Sequence, residues 1–159
     1  MTPILPGRFQ PFHTGHLLVV QGMMKMYGEA HIVICEPRQK TAEDLFTADE
    51  RREMIGGALM EAELMDASLA VLHDDLSDEA WLRHLLDVCG NPAEPIIFTG
   101  RPEIVQICEA QNVPVKLIKH VPGHEGEEIR TSIKDRTPLW TKKVPAGVGE
   151  VIESVLARV

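Results

Sequence analysis

The sequence lacks an excess of positive charge. Its 159 residues include 16 lysines and arginines against 24 aspartates and glutamates, which gives a net charge of -8. General attraction to a nucleic-acid backbone or to an anionic membrane surface is therefore not expected, and we predict neither a nucleic-acid nor a membrane partner. An anionic small molecule would have to be held by a local cluster of side chains.

Long apolar runs and paired cysteines are also missing. No segment approaches the roughly 20 apolar residues that span a bilayer, and the first residues lack the pattern of a secretory signal. Three cysteines, Cys35, Cys89 and Cys108, are odd in number and widely spaced, which favours reduced, packed thiols. These absences predict a cytoplasmic protein. The length and the 44% of hydrophobic side chains predict a single domain over residues 1–159.

Short apolar runs alternate along the chain with segments of helical periodicity. This alternation is typical of a parallel sheet, and the Val, Ile and Leu content of the runs suits strands that are covered on both faces. We therefore predict an α/β fold with a Rossmann-like, doubly wound, parallel five-stranded sheet and helices on both faces. The predicted strands are residues 2–5, 31–35, 69–73, 95–99 and 115–118.

Helix start signals precede several of the helical segments. Thr47 and Glu50 form a T-x-x-E capping box, and Ser77 can cap the helix that follows it. The first helix is predicted at residues 17–27, and two late helices are predicted at 127–135 and 147–158.

The most distinctive stretch is GRFQPFHTGH at residues 7–16. It follows the first predicted strand directly, so it forms the first strand-to-helix turn, with His16 at the start of the helix. The free N–H groups of a helix N-terminus attract phosphate, and Arg8, His13 and His16 gather there. Gly15 would let a ligand approach the backbone closely. Histidines three residues apart lie on one face of a helical turn and could grip the same phosphate.

Two other interpretations of the histidines remain open. A zinc site would need three or four ligands, and His73 with Asp74 and Asp75 could supply the missing ones. The histidines could instead be structural groups that are satisfied inside the turn. A dinucleotide-binding G-x-G-x-x-G turn and a Walker A loop are both absent from the sequence, so phosphate contact without either loop is the favoured interpretation.

Placed on a strand-turn-helix unit, the decapeptide matches the H-x-G-H signature of the nucleotidyltransferase superfamily. More closely, the chain resembles the archaeal-type nicotinamide mononucleotide adenylyltransferases, whose first turn is similar to GRFQPFH-x-GH. The similarity covers nearly the whole chain. Further segments that resemble the family are FTADERREMI (46–55), DLSDEAW (75–81), FTGRP (98–102) and EGEEIR (125–130).

The resemblance implies a single nucleotidyltransferase domain that moves AMP from ATP to nicotinamide mononucleotide (NMN) and yields NAD and pyrophosphate. It implies Mg²⁺ carried by ATP, no metal ligand from protein side chains, and catalysis by positioning and charge stabilisation. The implied catalytic residues are His13, His16 and Arg130. The implied ATP contacts are Gly7, Arg8, Phe9, Gly15, Gly100, Arg130, Thr131 and Ser132, and the implied NMN contacts are Phe12, Asp75 and Trp81.

Some positions differ from the family pattern, and simpler roles compete for others. Glu125 and Glu127 stand where the family has hydroxyl residues, and Glu43 stands where it tends to have an arginine. Arg130 could form a surface ion pair with Glu127, which lies within helical reach. Trp81 shares a helix face with leucines and could belong to the core.

Other functions also remain open. The acceptor could be another phosphorylated molecule, such as a flavin or pantetheine phosphate, or the chain could be a non-catalytic nucleotide-binding sensor. The apolar first helix, LLVVQGMMKMY, favours a homo-oligomer. Arg51 and Arg52 are predicted to form part of an exposed, charged helix face outside the site.

Overall fold

The computed structural model describes residues 1–73, 77–119 and 125–158. Its coordinates form two compact units, each built from several stretches of the chain. For the described residues, unit 1 comprises Met1–Arg8, Val20–Gln39 and residues 66–73 and 77–119, and unit 2 comprises Phe9–Val19, Lys40–Met65 and residues 125–158. The single domain over residues 1–159 stays a prediction.

Strands and helices alternate along most of the chain. The strands are β1 (Thr2–Gly7), β2 (Ala30–Glu36), β3 (Ala67–His73), β4 (Pro95–Thr99) and β5 (Val115–Leu117). The helices are α1 (Thr14–Tyr27), α2 (Ala48–Glu61), α3 (Asp78–Val88), α4 (Pro102–Ala110), α5 (Gly126–Lys134) and α6 (Ala146–Ala157), with a 3-10 helix at Pro138–Lys142.

Unit 1 contains a parallel five-stranded sheet in the order β3-β2-β1-β4-β5. The chain forms β1, β2 and β3 in one direction across the sheet and then adds β4 and β5 on the other side of β1, which is the doubly wound arrangement. These observations confirm the predicted Rossmann-like α/β fold. Each strand end lies within two residues of its predicted position.

The neighbouring strands β1 and β4 diverge at their carboxyl ends. β1 pairs with β4 from Thr2 to Ile4 and with β2 from Ile4 to Gly7. Pro6 lies past the last pair with β4, where a strand tolerates a missing N–H. In a doubly wound sheet this divergence is the switch point at which ligand crevices form.

The core of unit 1 is formed by the sheet together with α3 and α4. Its buried members are Ile4, Val33, Cys35, Leu72, Trp81, Leu82, Leu85, Ile97, Ile104 and Cys108. All three cysteines are free thiols, and burial raises the pKa of Cys89 and of Cys108 to about 11. Thiols that stay protonated at neutral pH agree with the predicted packing role.

In unit 2, α2 packs closely against α6. A Cβ atom on Gly147 would lie 3.1 Å from the carbonyl carbon of Gly57, so the close approach requires a residue without a side chain. The predicted capping box at the start of α2 is present: the Thr47 hydroxyl accepts from the Glu50 N–H, and the Glu50 carboxylate accepts from the Thr47 N–H.

The prediction of an exposed Arg51 is wrong. Its side chain is fully buried, and its Nε donates to the carbonyl of Thr47 at 3.2 Å. Spacings of three and four residues place Arg51 on the buried face of α2. The other buried residues of that face are Met54, Ile55, Ala58 and Leu59.

Two helix boundaries also differ from expectation. α1 begins at Thr14, three residues before the predicted start at position 17, so His16 lies inside the first helical turn. The 3-10 helix at Pro138–Lys142 was not predicted from the periodicity, because its five residues are too few to repeat a helical pattern. Among the described helices, none combines the length and the apolar character needed to cross a membrane.

Candidate active site

The first turn of α1 is closed by two histidines. His13 precedes the helix, and its carbonyl accepts the first intrahelical bond from the Leu17 N–H at 3.1 Å. The His13 N–H donates to Nδ1 of His16 at 3.1 Å, and the His16 N–H donates to Nδ1 of His13 at 3.4 Å. This reciprocal pattern is that of a capping box, made here by two imidazoles in place of a hydroxyl and a carboxylate.

The capping bonds determine the protonation of the two rings. Because Nδ1 of each ring accepts a hydrogen bond, the proton of each neutral imidazole is assigned to Nε2. The rings stack with centroids 3.6 Å apart and an interplanar angle of 21°. Burial of the imidazole and then the charge of His13 lower the pKa of His16 well below its ordinary value. His16 is therefore neutral at pH 7, with an N–H that can be donated to an anion.

Two phenylalanines hold the His16 ring in place. Phe12 stacks on His16 at 5.4 Å between centroids, and Phe9 meets it edge-on at 4.9 Å. Phe9 is 2% exposed and Phe12 is 0% exposed. These closed-off rings pack against the histidine, and the contacts of Phe9 with ATP and of Phe12 with NMN stay predictions.

Gln10 joins this turn to the segment before α2. Its side-chain amide donates to the carbonyl of Phe46 at 2.9 Å, and its side-chain oxygen accepts from the Phe46 N–H at 2.8 Å. A buried amide with both groups bonded fixes the path of the chain at the turn. The sequence analysis missed Gln10, since a contact across 36 positions has no local pattern.

Arg130 lies on α5, and its partner is not the predicted one. Its Nε donates to Oε2 of Glu43 at 2.7 Å, and its Nη1 donates to the carbonyl of Gln10 at 3.4 Å. The expected surface pair with Glu127 is therefore replaced by a contact with the segment before α2. Lys134, one turn further along α5, donates to Oε1 of Glu43 at 2.9 Å.

The two residues after Arg130 differ in accessibility. Thr131 is exposed, whereas Ser132 is 4% exposed. The Ser132 hydroxyl lies 2.7 Å from the Thr137 hydroxyl and accepts from the Trp140 N–H at 3.0 Å. It therefore anchors the 3-10 helix, and its contact with ATP stays a prediction.

Unit 1 carries a separate crevice at the switch point of its sheet. The crevice has a volume of about 760 Å³ and is lined by residues from the end of β1, from β2, from the start of α3 and from the length of α4. Gly7, Arg8 and Trp81 are among them, as is Arg101. Trp81 is 8% exposed and also belongs to the core cluster, and its contact with NMN stays a prediction.

Other predicted site residues are placed as follows. Gly15 is buried in the first turn of α1, and Gly100 is exposed directly after β4. Asp75, predicted to contact NMN, lies outside the described residues, as does Asp74 of the alternative zinc site. Within the described ranges, no group of three or more His, Cys, Asp and Glu residues is placed to hold a metal ion.

Residues 4–132 match the model of a family described as cytidylyltransferase-like. The chain belongs to the cytidylyltransferase-like family. The range shared with cytidylyltransferase-like proteins contains the histidine turn, the lining of the crevice and Arg130.

Relatives of this cytidylyltransferase-like chain narrow the assignment. It is 32% identical over 152 residues to the nicotinamide-nucleotide adenylyltransferase of Haloarcula marismortui, which covers 94% of this chain and 79% of that relative. It is 27% identical over 160 residues to the same-named protein of Sulfurisphaera tokodaii, covering 98% and 92%. These relatives confirm the resemblance to the archaeal-type adenylyltransferases.

The fold has solved counterparts among larger proteins. The chain superposes with a TM-score of 0.74 and 17% identity on a bifunctional NMN adenylyltransferase/ADP ribose pyrophosphatase from Francisella tularensis, crystallised with AMP and a manganese ion. The match covers 98% of this cytidylyltransferase-like chain and 52% of the bifunctional one, so the chain spans about half of that protein. At this identity the likeness supports the fold.

Proposed function

We propose that the protein transfers AMP from ATP to NMN and so produces NAD and pyrophosphate. Its relatives make it a nucleotidyltransferase, and nicotinamide-nucleotide adenylyltransferases match it over almost its whole length. The observation that carries the proposal is the reciprocally bonded pair of His13 and His16 at the start of α1. This pair places imidazole N–H donors at the positive end of a helix.

The reaction needs charge stabilisation more than a protein nucleophile. The phosphate of NMN attacks the α-phosphorus of ATP, and the bond to the leaving pyrophosphate breaks. Negative charge then grows on the oxygens of the α-phosphate. The Nε2–H groups of His13 and His16 donate to these oxygens, and the helix N-terminus adds its partial positive charge.

The remaining contacts are proposed for the rest of ATP and for NMN. Arg130 binds the β- and γ-phosphates, with exposed Thr131 beside it, and Gly15 lets the nucleotide approach the first turn of α1. In unit 1, Gly7, Arg8 and Gly100 contribute further ATP contacts. Trp81 stacks on the nicotinamide ring from the wall of the crevice. Asp75 stays a predicted NMN contact.

A divalent cation fits the reaction as a companion of ATP. Among the described residues, Arg130 and Lys134 both pair with the carboxylate of Glu43, and such a cationic pair would suit a triphosphate that brings its own metal. We propose Mg²⁺ for this role, where it would neutralise part of the charge on the triphosphate. We also propose that the protein is cytoplasmic. We propose a homo-oligomer as well, because the side chains of Leu18 and Met26 on α1 are 49% and 63% exposed.

Product formation tests the function directly. The purified protein is incubated with ATP, Mg²⁺ and, in separate reactions, NMN, flavin mononucleotide and pantetheine phosphate. Pyrophosphate release and the mass of the dinucleotide are measured. We expect NAD and an equal amount of pyrophosphate from NMN. A dinucleotide formed from another acceptor alone would contradict the acceptor, and binding of ATP without any product would support the non-catalytic sensor instead.

A further inference from the structure

One face of α5 presents two cations to a single carboxylate. Arg130 and Lys134 are four residues apart and therefore project from the same side of the helix. Glu43, from the segment before α2, contacts both: Oε2 accepts from Arg130 at 2.7 Å and Oε1 accepts from Lys134 at 2.9 Å. Both carboxylate oxygens are thus used by the pair.

The carboxylate in this arrangement resembles one edge of a phosphate group. Both anions offer two oxygens to charge-assisted hydrogen bonds from a guanidinium and an ammonium. The bonds from Lys134 and then from Arg130 lower the pKa of Glu43, so its charge is present at neutral pH. A phosphate chain and Glu43 would therefore compete for the same donors.

The exposure of the cluster makes an exchange of partners inexpensive. The side chains of Glu43, Lys134 and Arg130 are 54%, 37% and 23% exposed. Solvated ion pairs of this kind are weak, because water screens the attraction and holding long side chains costs entropy. A triphosphate with several charges can outcompete a single carboxylate.

We infer that Lys134 is a second phosphate-binding cation beside Arg130, and that Glu43 occupies the pair until the phosphate chain of ATP displaces it. The inference rests on the proposed role of Arg130 in binding phosphate. It assigns Lys134 a contact with the β- or γ-phosphate and makes Glu43 the residue that sets the affinity for ATP. The Glu43 side chain then moves into solvent when the nucleotide binds.

The test compares binding of ATP and of inorganic tripolyphosphate to the full chain by titration calorimetry. Glu43→Gln removes the competing charge and should tighten binding of both ligands by about two- to fivefold, the scale of an exposed ion pair. Lys134→Met should weaken both by a similar factor. Glu153→Gln removes the same charge from an exposed position on α6 and should change neither. Thermal melts establish that each variant is folded.

Three results would overturn the inference: unchanged or weaker binding by Glu43→Gln, unchanged binding by Lys134→Met, or an equal gain for Glu153→Gln. Because the measurement uses binding, it is independent of the acceptor. Failure to form NAD together with the expected shifts would contradict the proposed function alone. Normal NAD formation without the shifts would contradict this inference alone.

Discussion

Helices α1 and α2 begin with the same hydrogen bonds, made by different side chains. At α2, the Thr47 hydroxyl accepts at 3.1 Å and the Glu50 carboxylate accepts at 2.8 Å. At α1, the corresponding acceptors are Nδ1 of His13 at 3.4 Å and Nδ1 of His16 at 3.1 Å. Longer bonds at α1 indicate that capping strength is not what the histidines supply best.

The two helix starts differ in their nearby charges and in the donors that remain once the capping bonds are made. The first turn of α2 contains Asp49 and Glu50, whose charges offset the positive end of the helix. The first turn of α1 contains no acidic residue. An imidazole that accepts through Nδ1 still has Nε2–H, whereas a carboxylate has no proton to donate. The start of α2 is therefore suited to stability, and the start of α1 is suited to an incoming anion.

Alanine substitutions at the starts of α1 and α2 should show the largest difference between the catalytic role and the stabilising role. His16→Ala removes one donor to the growing charge on the α-phosphate and should lower kcat by about 10² to 10³, the scale of deleting one such donor. Thr47→Ala removes a cap in the same unit and should lower the free energy of unfolding by about 1 kcal/mol with little change in kcat. Steady-state NAD formation and thermal melts measure both quantities.

Similar behaviour of His16→Ala and Thr47→Ala would contradict the difference in role between the two helix starts. A His16→Ala protein with near-normal kcat would make the imidazole a cap and nothing more. A large fall in kcat for Thr47→Ala would mean that loss of any cap in unit 2 impairs the reaction. In the second case the fall for His16→Ala would carry no information about phosphate.

The α1 start could be predicted from the sequence because its contacts are local. His13 and His16 are three residues apart, so helical geometry alone brings the rings together, and the T-x-x-E signal at Thr47 is equally local. The alternation of apolar runs likewise predicts the sheet. What the pattern did not show is that both rings accept through Nδ1, which assigns the proton of each neutral imidazole to Nε2.

The α5 face could not be predicted in this way. Its contacts join Glu43 to Arg130 and Lys134 across 87 and 91 positions, and no local pattern encodes them. The alternative partner within helical reach, Glu127, does not pair with Arg130, which contacts Glu43. Arg51 is a different case: its spacing from Met54, Ile55 and Ala58 does mark the buried face, but the surrounding charges concealed that signal.

Replacing His16 by glutamine should separate the role of this side chain in capping α1 from its role in the reaction. Gln is a natural residue at the third helical position of a capping box, and its side-chain oxygen can accept from the His13 N–H. His16→Gln should therefore recover about 0.5 to 1 kcal/mol of the unfolding free energy that His16→Ala loses. Its kcat should remain low, because the imidazole N–H is still missing.

Urea titrations of His16→Ala and His16→Gln measure the difference in unfolding free energy directly. Equal stability of the two variants would contradict the capping role of the His16 ring. Recovery of kcat along with stability would show that the amide N–H donors of glutamine can replace the imidazole N–H.

The smallest expected effect is a dependence of stability on pH at α1. The pKa of His16 is lowered in the folded protein relative to 6.5 in the unfolded chain, so the unfolded state binds the proton more readily. Stability from this group is fully present above the unfolded pKa and declines as the pH falls toward the folded one. Protonation at Nδ1 would also remove the acceptor that closes the turn.

Between about pH 8 and about pH 5, the Tm of the parent protein should fall more than that of His16→Gln, which cannot titrate there. Parallel curves for the two proteins would mean that folding leaves the pKa of His16 unchanged, which would contradict the burial that keeps the donor to the α-phosphate neutral.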